Sequence, residues 1–471
     1  MLVVVVFLVM PKTPTDHRRS SITDDLKALF QGPRDLWLIY LATLFEYLGV
    51  FSFLQTLPLW LSDDYGMSDE QAGWWAATFS LLVTLFMFFA GGLADTFGVR
   101  RMLIASFALA AITRLGMSLA LTPLVAVAML LAFAFAYAVT SPVLQTAVHL
   151  VSRPQTRAFA FSLWYVSFNI AGAIVGPLID GVRQRFLDPA AVPQKLVKYS
   201  MDLPIVGERL VSAHATILAF GCLFAAVAAV IVLFLRKDFE RGGEAASTQP
   251  RVAPLQAFKD VLSDRFFWRF MVMLLLLSLV KLMFQHMHFT WPKYVLREQG
   301  EAFPMGTVWS INSLAIILLA PCGTALTRHC KPFGVLLVGA AISSLSPFVL
   351  CFGSSMPYQI GMISVLTIGE ALWSPRLYEY NVAIAPRGRE ATYVSLAALP
   401  YFLAKFLVAP TSGILLTYYC PAEGPRNSAM LWGLIGLTTI IGPIGIWLLR
   451  GWIQEGNPEV DPIPDAADQL A

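Results

Sequence analysis

The chain has 471 residues, of which 57% are hydrophobic and only 13% charged. Soluble domains carry about 25% charged residues, and a mean hydropathy of +0.66 excludes a soluble globular enzyme, a disordered chain and a disulfide scaffold. Thirty-three Lys and Arg against thirty Asp and Glu leave a net charge of +3, too balanced to argue for nucleic acid.

Residues 1–10 are apolar but stop at Pro11, too short to cross a bilayer and without the basic leader and cleavage site of a signal peptide. Residues 12–34 are polar, and 23–30 read as a short surface helix. Six apolar runs follow, at 36–61, 72–94, 102–121, 122–147, 158–180 and 211–236. Each reaches the roughly 20 residues that a spanning helix needs, and runs of this length in lipid are helices. Lys and Arg gather on the loops that share the side of the N-terminus, such as Arg100, Arg101, Arg153, Arg157, Arg236 and Lys237. The positive-inside rule therefore puts that side, and both termini, in the cytoplasm.

Gly91-Gly92-Leu93-Ala94-Asp95-Thr96-Phe97-Gly98-Val99-Arg100-Arg101 joins spans two and three. It reads as a tight inner turn in which Gly98 permits an αL conformation and Asp95 accepts charge-assisted hydrogen bonds at a helix end. The stretch resembles the signature loop of the major facilitator superfamily, with Thr96 where a basic residue is usual. The resemblance implies a gating role for Gly92, Asp95, Gly98, Arg100 and Arg101, which in that family latch the two halves in the outward-open state. Gly323–Arg328 in the second half is a degenerate counterpart.

The outer loop 181–210 is long and is expected to carry a short helix. The inner connection 237–265 is charged, holds Gly-Gly and two prolines, and reads as a linker. Apolar runs resume at 266–290, 305–326, 333–354, 356–379, 392–418 and 428–450. The expected fold is an all-α polytopic membrane protein of twelve transmembrane helices in two six-helix bundles. Its parts are an N-terminal segment 1–35, a first bundle 36–236, the linker 237–265, a second bundle 266–450 and a tail 451–471. Repeated six-span halves are a transporter architecture with the substrate site at the midplane between them.

Span ten carries Gly369-Glu370-Ala371-Leu372-Trp373-Ser374-Pro375, then Ala385-Pro386. This run resembles the tenth core helix of the proton-coupled oligopeptide transporters. Phe284-Gln285, Asn312–Pro321, Phe45–Gly49 and Met67–Gly73 resemble other parts of that family. The family's Glu-x-x-Glu-Arg pattern on the first helix becomes Thr43, Glu46 and Tyr47 here, so one acid and the arginine are absent. A divergent branch with another substrate is implied.

Ionisable groups inside a span are costly and mark functional sites by default. At about 1.5 Å per residue, Glu46, Arg114 and Lys405 fall at the midplane, with Lys281 slightly nearer the outside and Glu370 nearer the cytoplasm. Lys281, Gln285 and His288 share one helix face, as do Glu370, Ser374 and Tyr378, Tyr165 and Asn169, and Tyr401 and Lys405. Tyr137, Ser141 and Gln145 line up on span four, while Arg376 and Glu379 form a local pair near the inner interface. Glu46, Arg114, Lys281, Gln285, Glu370, Tyr378, Lys405, Tyr165, Asn169 and Tyr401 are the candidate substrate and proton site. Interhelical ion pairs that merely hold the bundle are the bland alternative. Three positive charges against two negative suit a substrate that bears a carboxylate.

No metal site is expected: the five cysteines are scattered, and His286 and His288 point apart on a helix. No nucleotide loop or nucleophile motif suggests an enzyme. The expected function is secondary active transport of a small polar organic solute, peptide-like or carboxylate-bearing, by alternating access. The proton is the coupling ion and no other cofactor is expected. The expected partners are that solute and the lipid bilayer of a bacterial inner membrane, with the chain acting as a monomer. An exporter of amphiphilic drugs, or a membrane sensor, is the alternative.

Overall fold

The computed structural model describes residues 33–152, 157–203, 207–236, 265–327, 330–383 and 399–454. The first half comprises α1 (Arg34–Tyr65), α2 (Asp69–Phe97), α3 (Val99–Leu119), α4 (Pro123–Val151), α5 (Arg157–Arg185) and α6 (Ala213–Leu233). The second comprises α7 (Arg265–Phe289), a short α8 (Trp291–Gln299), α9 (Met305–Leu326), α10 (Pro332–Val349), α11 (Met356–Ala383), α12 (Leu399–Tyr419) and α13 (Ser428–Leu448), with α14 (Arg450–Gln454) behind it. Twelve of these helices coincide with the twelve apolar runs of the sequence, and nine are long and apolar enough over their described residues to cross a membrane. The protein is an all-α, multi-pass integral membrane protein. The 23–30 stretch and nearly all of the linker lie outside the described residues.

Lipid offers no hydrogen bonds, so polar side chains within the spans turn back onto their own helices. Thr43 donates to the Ile39 carbonyl at 2.8 Å and Thr140 to that of Ala136 at 2.9 Å. Sharp turns fall at glycines. Gly66 (φ 66°, ψ 22°) is left-handed and ends α1. Gly98 has the expected positive φ, 89°, but with ψ at 142° it is extended rather than αL. That one residue both ends α2, its N–H donating to the Ala94 carbonyl, and stands before the first residue of α3.

The outer loop corrects an expectation. It carries an antiparallel hairpin, β1 (Tyr199–Leu203) and β2 (Gly207–Val211), with Met201 opposite Arg209, and beyond the end of α5 no helix among its described residues. Alternation of Tyr199, Met201 and Leu203 with polar neighbours is a strand period, not a helical one. Arg209 anchors the hairpin by donating to the carbonyls of Leu119 and Ala120 at the end of α3, where a cation also meets the negative end of the helix dipole.

Four apolar clusters place the halves. On the side that holds the start of α1 and the end of α13, here the terminal side, one cluster lies wholly in the first half (Leu36, Ile39, Leu103, Val143, Val232). Another lies wholly in the second (Phe267, Phe270, Leu336, Trp373, Ile446). On the opposite, distal side both clusters bridge the halves. One joins Leu48 and Val175 to Met287, Trp291 and Trp309, and the other joins Phe53, Trp60 and Ala76 to Phe289, Val408 and Ala409. Among the described residues the halves therefore meet distally and part toward the terminal side.

Small residues allow the distal contact. A Cβ on Gly73 of α2 would sit 2.6 Å from the Ala409 carbonyl oxygen of α12. One on Gly176 of α5 would collide with the Gly306 carbonyl and the Ser310 hydroxyl of α9. Gly176→Val is thus expected to open the distal side. Ala72→Cys, buried at the α2–α12 contact, provides the readout in a chain with its other cysteines removed. Its labelling by a membrane-impermeant maleimide should rise several-fold with Gly176→Val, and unchanged labelling counts against the contact as a gate.

Candidate substrate site and distal gate

Glu46 and Arg114 meet as expected from their depth, but in a sealed place. The guanidinium donates to Glu46 Oε1 at 2.8 Å and to Oε2 at 3.2 Å, and both side chains are 0% exposed. Arg114 also donates to the Gly221 carbonyl at 3.3 Å and lies 4.7 Å over the ring of Phe133. Gly49 and Gly221 make the room: a Cβ on Gly49 would stand 2.6 Å from Arg114 Nη1. Every one of these partners belongs to the first half.

The second half presents its charges differently. Glu370 on α11 is half-buried and accepts from Asn312 Nδ2 of α9 at 2.9 Å, an amide that also donates to Thr367. Lys281 on α7, also half-buried, lies 5.4 Å from the Trp373 ring and within electrostatic reach of Glu370. Trp373 is held by its indole N–H on Ser343 Oγ at 3.0 Å. Gln285 is buried one turn on, and His288 faces Trp309 with ring centroids 5.7 Å apart. His286 turns away and bonds Thr290 Oγ1 at 2.7 Å. The side chains of Tyr378, Tyr401 and Lys405 lie outside the described residues.

Other candidates settle locally. Asn169 donates to the Tyr165 carbonyl of its own helix at 2.9 Å, and Gln145 to Ser141 at 3.2 Å. Tyr165 packs edge-on to Phe168 at 4.9 Å. Arg376 donates to the Thr327 carbonyl at 2.8 Å, at the end of α9, while the Glu379 side chain lies outside the described residues. In the signature loop, Arg100 donates to the Leu233 carbonyl at 2.7 Å, a bond within the first half, and Arg101 is exposed. Gly92 lies within α2, and the Asp95 side chain lies outside the described residues.

Sequence reasoning missed the groups that tie the halves together distally. Asp69, at the start of α2, receives Lys293 Nζ at 2.7 Å and both terminal nitrogens of Arg297 at 2.7 and 2.8 Å. Lys293 also donates to Ser62 at 2.6 Å. Burial draws the Lys293 ammonium below its ordinary pKa, against the opposing charge of Asp69, so this cation depends on its partner for its charge. Asp180 of α5 accepts from the backbone N–H groups of Gly306 at 2.9 Å and Thr307 at 2.7 Å. The start of α9 has no side-chain cap of its own, its N-cap being Pro304. The first half thus caps a helix of the second. Arg183, one turn beyond, pairs with Glu301 at 2.6 Å. Asp69, Lys293 and Arg297 stand outside the apolar runs, where a search for charges within spans does not look. A capping role for Asp180 needs the fold to bring α9 alongside.

Two bundles joined at one side, with ionisable groups at mid-depth beneath the join, form the frame of a transporter that exposes a site alternately. Residues 39–409 match the Major Facilitator Superfamily. The chain belongs to that superfamily. Its members are transporters, and the chain is one of them, not an enzyme. No curated protein matches in sequence. Among solved structures, the chain is similar to a POT family transporter in complex with 5-aminolevulinic acid, at 14% identity with a TM-score of 0.68 over 95% of this chain and 99% of that one. A peptide transporter POT in complex with sulfate is similar at 14% identity and TM-score 0.67, over 89% and 95% of the two chains. A D-xylose-proton symporter matches at 14% and 0.68, over 88% and 96%. At such identities the likeness is one of fold. The stretch 91–101, which resembles the superfamily's signature loop, lies on the terminal side, where the described residues of the two halves stand apart.

The sealed pair yields a stability prediction. Glu46→Gln strands a buried guanidinium and should cost about 3–5 kcal/mol, whereas removing both charges is far cheaper. Thermal unfolding of the detergent-solubilised protein should show a lowered Tm for Glu46→Gln and substantial recovery in Glu46→Gln/Arg114→Met. Equal losses in the two would contradict the pairing.

Proposed function

We propose that the protein moves a small organic solute with an ionisable group across a bacterial inner membrane by proton-coupled alternating access. The terminal side then faces the cytoplasm, as the distribution of Lys and Arg argues, and the state described here is open to it. A single chain carries both halves of the site, so a monomer suffices, and the proton is the only cofactor. The likeness in fold to POT transporters and to a proton symporter is in keeping with this reading.

The observation that carries it is Glu370. It stands at mid-depth, half-buried, bonded to a neutral amide and near Lys281, beneath a distal side closed by ion pairs. A carboxylate with a movable cationic neighbour changes its proton affinity when that neighbour turns to a substrate. A proton taken up at Glu370 frees Lys281 for a substrate carboxylate, and the loaded halves then exchange access. Lys405, expected at the midplane from its place in span eleven, is a proposed third member. Glu46 is a poorer proton carrier, because Arg114 and the first half enclose it on every side. A pair so enclosed fixes the first bundle as a rigid body.

The test is proton flux into liposomes that hold the purified protein and a pH-sensitive dye, with an inward proton gradient and a panel of amino acids, short peptides, sugars and organic acids outside. At least one class should accelerate acidification. Glu370→Gln should abolish that acceleration while leaving solute exchange without a gradient measurable. Acceleration that survives Glu370→Gln would refute the role of this residue, and no acceleration by any class would refute proton coupling.

A further inference from the structure

The two halves offer the midplane different surfaces. Among the described residues, the charges at that depth in the first half are Glu46 and Arg114, and they are spent on each other. What the first half shows instead is aromatic. Tyr47 of α1 stacks on Phe168 of α5, with centroids 5.3 Å apart and planes at 29°. Phe51 lies 5.6 Å from Tyr47, and Trp164 and Tyr165 flank Phe168 at 5.5 and 4.9 Å. All five side chains are half-buried, so part of each ring remains uncovered. Phe51 carries the wall across to Trp309 of α9, at 5.3 Å. The second half holds both signs of charge: Lys281 lies 5.4 Å from the ring of Trp373, one turn along α11 from Glu370.

A substrate that fits must therefore keep its charges together at one end and present a neutral planar surface at the other. A free dipeptide does neither well, because each added residue moves its ammonium and carboxylate apart by about 3.8 Å. An α-amino acid carries both charges on one carbon. Rings that meet edge-on or offset at 4.5–7 Å prefer another ring to an alkyl chain of like area.

We propose that the substrate is an aromatic α-amino acid or a close analogue, its ring on the α1–α5 wall of Tyr47, Phe51 and Phe168, its carboxylate at Lys281 and its ammonium donating to the carboxyl oxygen that Glu370 still offers as an acceptor once protonated. This rests on the transporter reading above and narrows it.

The test is equilibrium binding of radiolabelled L-phenylalanine and L-tryptophan to the full chain in nanodiscs, with L-alanine, dialanine, phenylacetate and benzylamine as competitors. The aromatic amino acids should bind at least about tenfold more tightly than L-alanine, in line with the loss of a ring contact and its buried area. Phenylacetate and benzylamine, each lacking one charge, should compete weakly. Phe168→Leu should narrow the gap between L-phenylalanine and L-alanine. The comparison among ligands on the unaltered protein stands even if that variant folds poorly. Dialanine or L-alanine binding as tightly as L-phenylalanine, or no binding of either aromatic amino acid, would overturn the proposal. If proton-coupled flux of another solute persists in that case, only the substrate class is wrong; absence of any coupled flux would instead overturn the transporter mechanism beneath it.

Discussion

A charge inside a bilayer must be paired or kept wet, and this requirement organises the molecule. At mid-depth in the first half it is met by pairing: Glu46 and Arg114 close on each other among glycines and the Phe133 ring, with no exposure left. At mid-depth in the second half it is met by partial exposure, with Glu370 on an amide and Lys281 beside an indole. At the distal rim it is met by pairing across the halves, Asp69 to Lys293 and Arg297. The first solution leaves a sealed block, the second the proposed site, and the third a set of ties whose ions can be rehydrated when the halves separate.

The gate is built to be broken. Its apolar contact relies on Gly73, Gly176 and Gly306, which bring backbones together without interlocking side chains. Its polar ties are an ion triad and a helix cap lent by Asp180 to α9. Each group in those ties has water as an alternative partner, so the net stabilisation per hydrogen bond is modest, about 0.5–1.5 kcal/mol. Terminal-side cores that stay within their own half let each bundle move as a body.

The spans were legible because lipid demands long apolar runs, and α1 to α13 follow them closely once short α8 is set aside. The depth of Glu46 and Arg114 was legible for the same reason, since helical rise converts position into height. Which way each faces was not, because that depends on Gly49 and Gly221 leaving space inside the first bundle. The ring wall was hidden in plain composition: Tyr47, Phe51 and Phe168 are ordinary members of apolar runs until α1 and α5 are packed. Asp69, Lys293 and Arg297 were hidden for the opposite reason, lying outside those runs and far apart in the chain. The hairpin at Tyr199–Val211, in a loop expected to carry a short helix, was hard to see because its strand-like alternation runs for only five residues on each side of the turn.

The central claim is that the halves rock about the midplane, so that distal opening and terminal closing are one motion. It is tested most directly by distances between spin labels on the full chain in nanodiscs. Leu121→Cys and Phe352→Cys mark the two halves on the distal side, and Phe97→Cys and Leu326→Cys mark them on the terminal side, all at exposed positions. Asp69→Asn removes the charge that holds Lys293 and Arg297. The account predicts that this change lengthens the distal distance and shortens the terminal one in the same population. A distal distance that stays fixed, or that lengthens while the terminal one does not shorten, would contradict it.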